Sequence, residues 1–188
     1  MAPFQYLLVL VSILVSLAIA DIVKSLHGLL RVREQVAWHW HALGAGLLVL
    51  LAILQFWWKF YRIGRVETWT QYGTFLLLIL HLILLFLLAS AALPDNARDE
   101  PNLEEYYERN RKYFWTLFSL FGFSAICVNL VAAPKGSLST LIYSAVPNLV
   151  TASLMLSLAF VRGKAYHSVC IIVLLLVMAL GWWQLGLQ

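Results

Sequence analysis

The residues of this chain best suited to chemistry are a few ionisable and amide side chains set within or beside long apolar runs. They are Asp21, Lys24, His41, Gln55, Gln71, His81, Asn148 and Thr151. In hydrocarbon such a group is costly unless it is paired or wetted, so each is a candidate functional residue. Arranged in file, they could pass protons or hold a small cation in transit. The densest group lies between Asp21 and His41, in the stretch DIVKSLHGLLRVREQVAWHWH. This stretch carries Asp21, Lys24, His27, Arg31, Arg33, Glu34, His39 and His41. It reads as the end of one membrane helix, a basic turn and the start of the next.

Composition supports that frame. The chain has 188 residues, of which 62% are hydrophobic and 12% charged. A soluble domain carries about 25% charged residues. So little charge could not cover so much apolar surface, which places the chain in the membrane class. The formal net charge of +4 comes from basic residues at helix ends, where they orient a protein in the bilayer. No basic run with interleaved aromatics supports binding to nucleic acid. Cys127 and Cys170 lie in apolar runs without C-x-x-C spacing and read as small hydrophobes. Leu7 to Leu17 followed by Ala18-Ile19-Ala20 resembles a signal sequence, but no Lys or Arg precedes it. We expect an uncleaved spanning helix there.

The elements that must position these residues follow from apolar length. A span needs about 20 apolar residues. Six stretches qualify, at about 4–30, 36–58, 70–93, 113–133, 138–161 and 165–187. Pro94 and Pro134 close the third and fourth. None alternates with period two, so the expected fold is all-α: a single transmembrane domain, a polytopic membrane bundle of six helices. The polar connection 95–112 contains Asn102 with Glu105 three residues on, a capping signature. A short cytoplasmic helix is expected there, running on into the fourth span. Its charges could serve a solvated face or dock a membrane-complex partner or a second copy of the chain.

Orientation follows from Lys and Arg counted on alternate sides. Lys24, Arg31, Arg33, Arg98, Arg109, Arg111, Lys112, Arg162 and Lys164 fall on one side; Lys59, Arg62, Arg65 and Lys135 fall on the other. The first set faces the cytoplasm of a bacterial inner membrane, and both termini face out. All eight tryptophans (Trp38, Trp40, Trp57, Trp58, Trp69, Trp115, Trp182 and Trp183) fall near span ends, as interfacial rings do.

Polar residues repeat at helical spacing along several spans. The second span gives His41, Gly44, Leu48, Leu51 and Gln55. The third gives Gln71, Thr74, Leu78 and His81, and the fourth Thr116, Ser119, Gly122 and Asn129. The fifth gives Ser137, Thr140, Ser144, Asn148, Thr151 and Met155. Such stripes face neighbouring helices, as a pathway or as ordinary interhelical contacts. Asp21 and Lys24 are close enough to pair. Pro147 frees the carbonyl of Tyr143, beside Asn148 and Thr151, either as a kink or as a cation site. His27, His39, His41 and His167 fall near the cytoplasmic face, where a histidine needs no special role.

Three short motifs carry a resemblance: Gln55-Phe56-Trp57-Trp58, Leu93-Pro94-Asp95, and Tyr106-Tyr107 before a basic turn. In these the chain resembles a group of uncharacterised small bacterial polytopic membrane proteins. The resemblance spans the first two thirds of the chain and implies no activity.

The leading functional expectation is a channel or transporter for protons or a small ion. The alternative is a non-catalytic accessory subunit of a larger membrane complex. A haem-b electron carrier is a lesser alternative and would need axial histidines such as His41 with His81, or His27 with His81. Otherwise no cofactor and no metal is expected. Neither H-E-x-x-H nor G-x-S-x-G occurs, so an enzyme is not the first expectation.

Overall fold

The computed structural model describes the backbone of residues 3–63, 71–96, 98, 100–132 and 138–186, with side chains for 5–61, 71–96, 98, 100–131 and 145–181. The described residues form six helices: α1 (Pro3–Arg31), α2 (Trp40–Ile63), α3 (Tyr72–Ala92), α4 (Leu103–Ala132), α5 (Leu138–Phe160) and α6 (Lys164–Gly186). Five of them, all but α5, are long and apolar enough to cross a membrane. In α5 the described apolar stretch, Ala145–Phe160, is shorter. The outer faces are apolar: Val9, Ile13 and Leu17 on α1, Leu76, Leu80 and Ile83 on α3, and Val169, Ile172 and Leu176 on α6 are exposed. Such a surface is stable against lipid. The chain is an integral membrane protein.

Small residues decide how closely the helices approach. α2 is central and touches α1, α3, α4 and α6, while α4 packs most extensively on α5 and then on α3. A Cβ added at Gly122 of α4 would stand 3.0 Å from the Ala152 Cβ of α5. Beside it, the Ser119 hydroxyl donates to the Ala152 carbonyl at 2.9 Å. A Cβ at Gly44 of α2 would stand 3.0 Å from Ile171 of α6. Without lipid-exclusion to drive helices together, close backbone contact of this kind supplies the association energy.

The loops preceding α2, α4 and α6 meet at one end of the bundle. The Ala37 N–H donates to the Pro101 carbonyl at 2.8 Å, and the Leu103 N–H donates to the Ala37 carbonyl at 3.2 Å. Lys164 pairs with Glu104, and Arg109 pairs with Glu100. The Tyr106 hydroxyl donates to the Ala91 carbonyl at 3.2 Å, tying α4 to the end of α3.

The helix expected within 95–112 starts at Leu103 and is the first part of α4 itself. Asn102 caps it: its side-chain oxygen accepts from the N–H groups of Glu104 and Glu105 at 3.1 and 3.3 Å. Asn102→Ala is expected to cost about 1 kcal/mol, read as a lowered midpoint of unfolding in detergent. The early start of α4 also corrects one tryptophan. Trp115 lies three turns inside the helix, fully buried, and its N–H finds the Tyr107 hydroxyl at 3.0 Å. It is a core residue, because its polar edge is satisfied by protein. Trp38, Trp40 and Trp58 are exposed near helix ends and Trp57 is half-buried. Trp69, Arg65, Pro134 and Lys135, and the side chains of Arg62, Trp182 and Trp183, lie outside the described residues.

Candidate functional site

Three histidines converge at the end where the loops meet. His39 immediately precedes α2, and His41 lies in its first turn. His167 and Ser168 lie in the first turns of α6. Tyr107, Arg111 and Trp115 sit at i, i+4 and i+8 on α4, a spacing that stacks side chains along one face. All three are buried. The close approach at Gly44 brings α6 near enough to α2 for Ser168 to reach His41.

The contacts are specific. His41 is only 5% exposed. Its Nδ1 lies 3.1 Å from His39 Nε2 and its Nε2 lies 2.9 Å from Ser168 Oγ. Its ring stacks on Tyr107 with centroids 5.6 Å apart and stands edge-on to His167 at 6.4 Å. The Tyr107 hydroxyl lies 2.6 Å from His167 Nδ1, and His167 Nε2 lies 2.8 Å from the Val161 carbonyl. Arg111 donates to that same carbonyl, and its Nε lies 3.7 Å from a Glu108 oxygen. A carbonyl freed at the end of α5 is thus met by two donors.

Donor logic orders both chains of bonds, because a neutral imidazole has one N–H and one acceptor nitrogen. His167 Nε2 must donate, since a carbonyl only accepts. Its Nδ1 therefore accepts from the Tyr107 hydroxyl, which in turn accepts from the Trp115 N–H. In the second chain Ser168 donates to the Lys164 carbonyl at 3.0 Å, so it accepts from His41 Nε2. His41 Nδ1 then accepts from His39 Nε2. That leaves His39 Nδ1 as a free lone pair. Among the described residues this atom is buried and has no hydrogen-bond partner. A proton taken up there can shift along His39 and His41, each ring accepting at one nitrogen and releasing from the other; Ser168 takes part only by rotating its hydroxyl away from the Lys164 carbonyl, which cannot take a proton.

No family model matches the chain, and no curated protein or solved structure matches it either. Its chemistry must therefore be read from its own geometry.

The eight candidate residues are not gathered at one place. His41 belongs to the histidine cluster. His81 lies deep in α3, 1% exposed, with Nδ1 2.7 Å from Ser124 Oγ and its ring stacked on Phe121 at 4.3 Å and beside Phe56 at 5.0 Å. Phe56 is about 22 Å of helix rise beyond His41, so the two histidines sit at different depths. Gln55 packs against α6, where a Cβ added at Gly181 would meet its amide nitrogen at 2.9 Å. Gln71 is exposed at the start of α3, and its carbonyl accepts from Thr74. Asn148 and Thr151 are half-buried on α5, and the Thr151 hydroxyl donates to the carbonyls of Pro147 and Asn148, both at 3.0 Å. The side chains of Ser137, Thr140, Tyr143 and Ser144 lie outside the described residues.

Asp21 and Lys24 do not form the expected ion pair. Asp21 is half-buried, with one carboxylate oxygen buried and unpartnered among the described residues, while Lys24 is exposed. Asp21 turns toward the face that also buries Ala18, Ile22 and Ser25, and Lys24 falls on the outer side.

Sequence reasoning gave His39 and His167 no role and missed Tyr107 and Ser168. Topology held the signal. Loops that precede even-numbered helices fall at one membrane face, so residues flanking them are neighbours.

His81 illustrates how strongly a buried partner is held. Ser124 donates to the Phe121 carbonyl at 2.8 Å and so accepts from His81 Nδ1. Ser124→Ala strands that N–H and is expected to cost about 1–3 kcal/mol, measurable as a shift in the denaturant midpoint.

Proposed function

We propose that this protein conducts protons, or a small cation, across the membrane, and that the histidine cluster is the mouth of its path. The observation that supports this most is the ordered chain His39–His41–Ser168 ending on an open, buried lone pair at His39 Nδ1. A cluster that only tied helices together would gain by filling that acceptor. Deeper in the bundle, at similar depth, His81 on α3 with Ser124 on α4, and Gln55 on α2, offer further polar stations.

The reading counts α5 as a sixth crossing. Both termini then face away from the cluster, and the surplus of Lys and Arg around the cluster supports a cytoplasmic side of a bacterial inner membrane for it. The accessory-subunit reading leaned on free charge in residues 95–112. Within that stretch Glu100, Glu104, Arg109 and Arg111 are engaged inside this chain, which leaves less for a partner.

The test is flux. The purified chain in liposomes loaded with a pH-sensitive dye, driven by a potassium diffusion potential, should acidify or alkalinise faster than empty vesicles. Protein-containing vesicles that match empty ones, for protons and for sodium and potassium, would refute the proposal.

A further inference from the structure

The turn between α1 and α2 carries a second feature, near the histidines but apart from them. Residues 30–35 border an open depression on the surface, with Arg31, Arg33, Glu34 and Gln35 as its polar members. The main chain there is pinned. The Gln35 N–H donates to the Val32 carbonyl at 2.8 Å, and the Trp38 indole N–H donates to the Arg33 carbonyl at 3.3 Å. The guanidinium groups therefore hang from a fixed turn.

The adjoining face of α1 has a notch. Lys24, Gly28 and Arg31 follow one helical row, and a Cβ added at Gly28 would meet nothing within 4 Å. Two cations thus flank open space. Lys24, Arg31 and Arg33 are all exposed, and among the described residues none lies within ion-pair distance of a carboxylate. At the same end of the bundle Arg109, Arg111 and Lys164 each have a glutamate partner, while Arg98, Lys112 and Arg162 are exposed without one among the described residues. Exposed Leu30 borders the depression with apolar surface.

The geometry points to this notch and depression as a binding site for the phosphodiester headgroup of a membrane lipid. Arginine forks match phosphate oxygens in paired hydrogen bonds, and basic pockets at this depth recruit lipid headgroups. Leu30 would lie along the acyl chains. Glu34 narrows the class. Its carboxylate would repel a bare phosphate ion but accept hydrogen bonds from hydroxyl or ammonium groups beyond the phosphate. Phosphatidylglycerol and phosphatidylethanolamine carry such donors; phosphatidylcholine does not.

The full-length protein in mild detergent, mixed with equal amounts of these three lipids, should retain phosphatidylglycerol or phosphatidylethanolamine over phosphatidylcholine in native mass spectrometry. Arg31→Gln with Arg33→Gln should lower that retention by roughly fivefold per cation removed. Gly28→Leu fills the notch without touching the core and should lower it too, at unchanged helicity by circular dichroism. Equal retention of phosphatidylcholine, or variants that bind as the parent does, would overturn the site. Displacement of lipid by millimolar inorganic phosphate would show a free-anion site and overturn the lipid assignment. The readout needs no ion flux, so its outcome is independent of the conduction proposal.

Discussion

Replacing His41 with glutamine is expected to reduce proton flux by roughly a hundredfold while leaving the bundle assembled. A positioned proton-transfer group contributes about 10²–10⁴ to the rate of the step it serves. His41 is the middle link between His39 and Ser168, and both its ring nitrogens are engaged. Glutamine can keep one hydrogen bond on either side, but its amide cannot accept a proton and release another. Alanine at this position would remove the link and open a cavity beside Tyr107 as well. Comparison of the two separates relay from packing. If flux through the glutamine variant in liposomes equals that of the parent, the path does not run through this ring.

The largest loss of stability is expected from Trp115→Ala, about 3–5 kcal/mol. The indole is fully buried. It stacks on Phe118 with centroids 6.0 Å apart and meets Phe114 edge-on at 5.0 Å. In lipid the transfer of apolar surface contributes little, so the cost lies in lost dispersion contacts and in the void. The substitution also strips a donor from the Tyr107 hydroxyl, which still donates to His167. Trp115→Phe should recover most of the packing and none of the hydrogen bond. Unfolding followed by circular dichroism against detergent denaturant measures both. A Trp115→Ala midpoint within experimental scatter of the parent would mean the site collapses around the gap.

Much of the bundle was legible because hydrocarbon imposes a length. The expected stretch 70–93 became Tyr72–Ala92, and 138–161 became Leu138–Phe160. Three-four spacing also marked buried faces: Leu78 with His81 on α3, and Ser119 on α4. The apolar span alone put the fourth helix at 113, because the hydropathy of a span says nothing about how far its helix continues into water; the helix expected to run into it from 95–112 starts at Leu103. The Asn102 cap was the better marker. What periodicity could not supply was partnership. It puts His41 on an inner face but cannot say that a residue more than 120 positions later, Ser168, will stand opposite. That pairing depends on Gly44 letting α6 close, a tertiary event with no local trace. Asp21 was misjudged for a related reason. Spacing of three allows a pair, yet the packing of α1 rotated the carboxylate inward and left the amine outside.

The link between Ala37 and residues 101–103 has an evolutionary consequence. It runs entirely through peptide groups, so side-chain replacement at Ala37 or Asn102 leaves it standing. The register of the rings above Tyr107 is thereby insulated from most point mutations nearby, and the loops can drift in composition while the geometry persists. Proline is the exception, since it deletes the N–H that the link requires. Ala37→Pro should loosen the cluster where other replacements at that position do not, visible as faster amide exchange at Leu103 and Ser168.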